Sequence, residues 1–137
     1  MSAEGRAALA AVAPATAAAL AEVERVAATT ADAATRELVA RRVAGLLGLP
    51  APAGGALPDT WVCELDEWHA STLFDEATRG LLAFVDQFVF AVGSMGDDEV
   101  AALLATRSPR EVHELCNVVW SIDLALRADH VAARVLA

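Results

Sequence analysis

Three side chains in this 137-residue sequence have the chemistry to move a proton on a bound molecule: Glu37, His69 and His113. A carboxylate or imidazole works as a general acid or base once its surroundings bring its pKa toward the working pH. Each also has a plainer explanation. Glu37 stands one helical turn before Arg41, the favourable order for a surface ion pair. His69 ends the polar run Cys63-Glu64-Leu65-Asp66-Glu67-Trp68. Asp66, three residues before it, is a better helical partner than Glu64, five before. The same run suits an amphipathic helix with an acidic solvated face and Trp61, Leu65 and Trp68 turned inward. His113, Cys116, Asn117 and Trp120 fall on one helical stripe. His113 and Cys116 fit a thiolate–imidazole pair; a core cysteine beside a boundary histidine fits equally. Trp61, Trp68, Cys116 and Trp120 are the candidate ligand-binding residues, and the alternative is that they fill the core. Cys63, Glu67 and His69 do not share one helical face, so neither a metal site nor a cofactor is expected.

These residues need helices to position them, and no alternating strand pattern runs anywhere in the chain. Residues 1–30 are nearly half alanine, which favours helix but buries little area. Pro14 suits a helix start, with the stronger helix from Ala15 to Ala28 and modest apolar positions at Leu20, Val23 and Val26. This segment reads as a packing helix or an N-terminal arm. Thr30 or Asp32 can cap a second helix that runs to Leu47, with Val39, Val43, Leu46 and Leu47 on one face. Gly48 and Pro50 end it, and residues 48–58 form a Pro- and Gly-rich loop.

Asp59 is expected to cap a third helix that ends near Ser71. A fourth follows Phe74, with Leu81, Phe84, Val85, Phe88, Val89 and Val92 as a wide stripe closed by Gly93 and Gly96. A short fifth starts at Asp97. Ser108-Pro109-Arg110-Glu111 is a capping box with proline at the first helical position. It opens a sixth helix whose face carries Val112, Leu115, Val119, Ile122, Leu126, Val131 and Val135, and in which Asp123 and Arg127 can pair at i,i+4. The chain is therefore expected to be an all-α bundle of about six helices in one domain: an N-terminal helix or arm over 1–30 and a core over 31–137.

Several of these pieces resemble the alkylhydroperoxidase D-like (AhpD-like) and carboxymuconolactone decarboxylase superfamily. In its redox branch a helical Glu is followed twelve residues later by Cys-x-x-Cys, then by His four further on. Glu37 stands in the Glu position, and Leu49, Pro52 and Ala56 occupy the other three. Trp68-His-Ala-Ser71-Thr-Leu73-Phe74, then Arg79 and Leu82-Ala83, is similar to a W-x-x-S-x-L-F, R-x-x-L-A segment of that family. The tail from SPREVHEL to VVWSIDLALR is similar to its closing helix. The resemblance spans residues 33–130 and implies an AhpD-like helical bundle assembled as a trimer or hexamer. It also implies a site whose redox chemistry is lost, since a thiolate nucleophile and its resolving thiol are missing. Three readings follow. The chain is a redox-inactive member that binds a small apolar or aromatic molecule, a cofactor-free acid–base enzyme of the decarboxylase or isomerase kind, or a structural or regulatory homo-oligomer without ligand.

Composition narrows the partners. The net charge is −9, with ten arginines and no lysine, which disfavours nucleic acid and anionic membranes. At 56% apolar residues the chain can bury a sizeable core, yet Asp, Glu or Arg interrupts every apolar run before it could span a bilayer. The start, MSAEGRAALA, lacks the pattern of a cleaved signal peptide, so a cytoplasmic location is expected, with Cys63 and Cys116 reduced.

Overall fold

The computed structural model describes residues 3–136, and among these every regular element is helical. The helices are α1 (Ala3–Val12), α2 (Pro14–Ala27), α3 (Ala33–Leu47), α4 (Asp59–Glu64), α5 (Glu76–Ala91), α6 (Asp97–Leu104) and α7 (Pro109–Val135), with a 3-10 turn over Val92–Ser94. The all-α expectation holds, with seven helices rather than six.

Local chemistry explains most boundaries. Pro14 opens α2 in its first turn, where its missing N–H costs nothing. Asp32 caps α3 by accepting from the Thr35 amide at 2.7 Å. Thr30 instead donates its hydroxyl back to the Ala27 carbonyl at the end of α2. Gly48 closes α3 in the left-handed region at φ 66°, and the Leu49 amide reaches back to the Ala44 carbonyl at 2.8 Å. Asp75 caps α5 through the Thr78 amide. The capping box at Ser108 and Glu111 forms as expected: each side chain meets the other residue's backbone amide.

The long third helix does not form. Pro58 occupies the cap position with no side-chain cap bond, Asp59 is already helical, and α4 stops at Glu64. Beyond it the chain runs in turns whose carbonyls are met by arginines. Arg42 reaches the Leu65 carbonyl, and Arg79 donates to those of Trp68, His69 and Ser71, each at 3.0 Å. The hydroxyl of Ser71 folds back onto the Glu64 carboxylate. Val92 also leaves the expected stripe: it lies in the 3-10 turn and is exposed.

Helix α7 is the hub, packing against α1, α2, α3, α5 and α6. The core lies where α3, α5 and the middle of α7 meet: Val39, Val43, Leu82, Val85 and Val119 are fully buried, with Leu103 of α6 beside them. The end of α7 departs from the expected face. Val131 and Val135 are exposed, on the rim of an apolar hollow that this part of the helix shares with α1 and the alanine-rich α2.

The N-terminal segment is tied down more firmly than its alanine content suggests. Gly5 is buried against α7, and a Cβ built there would stand 2.0 Å from the Asp129 carbonyl oxygen, so the two helices cross at a point open only to glycine. The next residue, Arg6, bridges Asp129 (2.8 Å) and Glu24 (2.6 Å), joining α1, α7 and α2. Both carboxylates hold the Arg6 guanidinium in its charged form, Glu24 first.

Candidate functional site

A groove of about 720 Å³ opens between the end of α2, the first turns of α3, the 52–56 loop and the middle of α7. Its walls are largely aliphatic: Ala27, Ala40, Pro52, Val118, Ile122, Ala125 and Leu126. The polar side chains in the wall are Glu24, Arg36, Glu37 and Ser121. A volume of this size and a mostly apolar lining with few polar groups are the usual features of a small-molecule site.

Glu37 is the polar keystone of this groove. Its Oε1 accepts from Arg41 Nε at 2.7 Å, and its Oε2 accepts from the Gly55 and Ala56 amides at 2.9 and 2.6 Å. The carboxylate thereby pins the loop to α3. Gly54 is packed so closely on it that a Cβ would meet Oε1 at 2.1 Å. The Gly55 amide, then the Arg41 guanidinium and the Ala56 amide, outweigh burial and pull the Glu37 pKa from 4.5 to about 2. The i,i+4 pair with Arg41 therefore forms, but as part of a loop clamp. A carboxylate held this acidic is a weak base at neutral pH.

This gives a signed pH dependence. A depressed folded-state pKa means the clamp is at full strength above pH 4.5 and is lost as pH falls toward about 2. Hydrogen exchange should show constant protection factors for the Gly55 and Ala56 amides above that point and falling ones below it. In Glu37→Gln, which loses the charge, protection should be about tenfold lower and independent of pH over this range. Protection factors that stay flat from pH 5 to pH 2 in the wild type would rule the clamp out.

The other expected site residues lie elsewhere. His69 and His113 are exposed and line neither this groove nor the two smaller cavities described below. His69 stacks on the Trp68 ring at 3.7 Å. Trp68 itself is buried in the core and donates Nε1–H to Asp86 at 3.2 Å. Trp61 packs edge-on against Phe74. Cys116 is half-buried against the core, where burial pushes its thiol pKa up, away from thiolate character. Trp120, on the same helix, is exposed. Neither the three tryptophans nor Cys116 lines any of these cavities. Cys63 is exposed, and both thiols are free. Asp123 does pair with Arg127, at 2.8 Å.

Two further cavities flank α7. One, of about 460 Å³, is almost wholly apolar and lies between α1, α2 and the far end of α7, including Leu20, Val23, Val131 and Val135. The other, of about 230 Å³, lies under Leu49–Ala53 beside Asp129 and His130.

Sequence reasoning found Glu37 and the loop but missed Arg36 and Glu24. The spacing of Arg36 pairs it with Asp32, four residues before, and Asp32 is consumed as the helix cap. Glu24 looks like an ordinary surface carboxylate until Arg6 reaches it. No protein-family profile, curated protein or solved structure matches the chain.

Proposed function

We propose that this chain is a redox-inactive protein of the AhpD-like type that binds a small apolar molecule in the groove between α2, α3 and α7. The observation that carries this reading is the groove itself: about 720 Å³, walled by Ala, Val, Ile, Leu and Pro. Leu49, Pro52 and Ala56 offer no redox group at the loop that forms its mouth. The acid–base alternative has Glu37 in the wall, but all the charge of that carboxylate is committed to the loop and Arg41. The lining is aliphatic, which favours alkyl or fused-ring bodies over a stack between aromatic side chains.

The test is fluorescence titration with the neutral probe N-phenyl-1-naphthylamine. Saturable binding should appear in the wild type and disappear in Ala40→Phe, which fills the groove. Absence of saturable binding, or unchanged binding in Ala40→Phe, would overturn the reading.

A homo-oligomer forms the second part of the proposal. Its support is the uncovered apolar surface at Phe90, Val92, Val131 and Val135. Native mass spectrometry should give a multiple of the 14.2 kDa chain at micromolar concentration; a monomer mass there would count against assembly.

A further inference from the structure

We propose that the ligand of the groove is a monocarboxylate with an apolar body, and that its carboxylate pairs with Arg36. The inference rests on the binding reading above and specifies its ligand class.

Arg36 is set apart by what it lacks. Its Nε is buried with no hydrogen-bond partner, the one such side-chain atom among the described residues. A buried donor left unsatisfied is costly, and native structures rarely keep one without a use. Its neighbours on α3 are all provided for: Arg41 has Glu37, and Arg42 has Asp86. No carboxylate lies within ion-pair distance of Arg36 among the described residues, although two stand in the same wall. Glu24 is held by Arg6 through two bonds of 2.6 and 3.2 Å. Glu37 is held by Arg41 and two backbone amides. Asp32, one turn away, is turned to the Thr35 amide. Ser121 spends its hydroxyl on the Val118 carbonyl. The groove therefore presents one guanidinium that makes no hydrogen bond and no close ion pair among the described residues, its charge felt only at longer range by Asp32, next to an aliphatic wall.

A carboxylate is the anion this arrangement fits. Guanidinium and carboxylate match in planar, two-bond geometry. A phosphate would bring nearly two charges against a single cation, with Glu24 and Glu37 both near, and the balance would be repulsive. The net charge of −9 opposes any anion at long range. Screening over about 8 Å at physiological salt confines that repulsion, so the contact pair decides. With one guanidinium open to hydrogen bonding, one carboxylate is accommodated; the rest of the ligand meets Ala40, Val118, Ile122 and Ala125.

The experiment is calorimetric titration at pH 7 with 2-naphthoate and its neutral counterpart 2-naphthylmethanol. The wild type should bind 2-naphthoate about tenfold or more tightly than the alcohol, the scale of a charge-assisted hydrogen bond. In Arg36→Met the preference should vanish while the alcohol binds as before, which also reports that the groove is still formed. Equal affinities in the wild type, or a preference that survives in Arg36→Met, would overturn the carboxylate assignment and leave the binding reading standing. Binding of neither compound would overturn the binding reading and this assignment with it.

Discussion

Trp68→Ala should cost about 4 kcal/mol of unfolding free energy, the usual scale for removing a buried aromatic side chain. Trp68 is 4% exposed and belongs to the central cluster with Phe74, Leu82 and Val85. Its Nε1–H meets Asp86, and the Arg79 guanidinium lies 5.4 Å from its ring centroid. Truncation would remove the packing and leave a cavity that rigid helices on either side cannot close. Urea denaturation followed by far-UV circular dichroism measures the loss. The same variant, kept folded by stabilising solutes, should still bind N-phenyl-1-naphthylamine, since Trp68 does not line the groove. A variant as stable as the wild type but unable to bind the probe would mean that Trp68 is a ligand contact after all.

The second large effect is expected at the buried ion pair below that ring. Arg42 Nε and its terminal nitrogen bond the two oxygens of Asp86 at 2.6 and 2.7 Å. Asp86→Ala would leave a guanidinium only 8% exposed, with the Leu65 carbonyl at 3.5 Å and the solvated Asp66 at 3.9 Å as its remaining partners. Stranding a buried charge costs about 3 kcal/mol, at the low end of the range because the Asp86 side chain retains some contact with water. The double variant Arg42→Met/Asp86→Leu should recover most of that loss, since the pair as a whole gains little over good apolar packing. A single variant that loses under about 1 kcal/mol would show that Arg42 finds water or another partner. Asp86→Ala and Trp68→Ala share a hydrogen bond, so their losses should not add.

How much of this was legible beforehand differs by element. The caps at Asp32 and Ser108 depend on side chains within three residues of the helix start, and local sequence carries that information, although the same reasoning put Asp59 at a cap position that Pro58 holds. The 48–58 loop was legible for the same reason, since glycine and proline act on their own backbone. The end of α4 was not. The turns that follow it are held by Arg42 and Arg79, 23 and 11 residues away from the Leu65 and Trp68 carbonyls, which local sequence does not show. The exposed Val131 and Val135 look identical to buried valines, because what is missing is a neighbour and not a property of the residue. At the site, Glu37 and Arg41 were legible as an i,i+4 pair. The loop amides that depress its pKa were not, because they depend on how the chain folds back after Gly48. Arg36 was not legible either, because nothing in its spacing shows that the fold leaves its Nε buried without a hydrogen-bond partner.

The position of α7 has a consequence for how the chain comes off the ribosome. This 27-residue helix, about 40 Å long, is the common packing partner of five others and follows all of them in sequence. The bond between Arg6 and Asp129 joins residues 123 apart. Until α7 emerges, α1 can pack on α2 and α3 on α5, but each of them lacks the cover that α7 provides. Closing so long a segment costs little extra free energy, because the entropy grows only with the logarithm of length, but it delays the contact. The leucine and valine side chains that α7 covers thus stay unburied until it has been made. Transiently exposed apolar surface is what makes a partly made chain prone to aggregate, and here its burial is completed only when α7 docks.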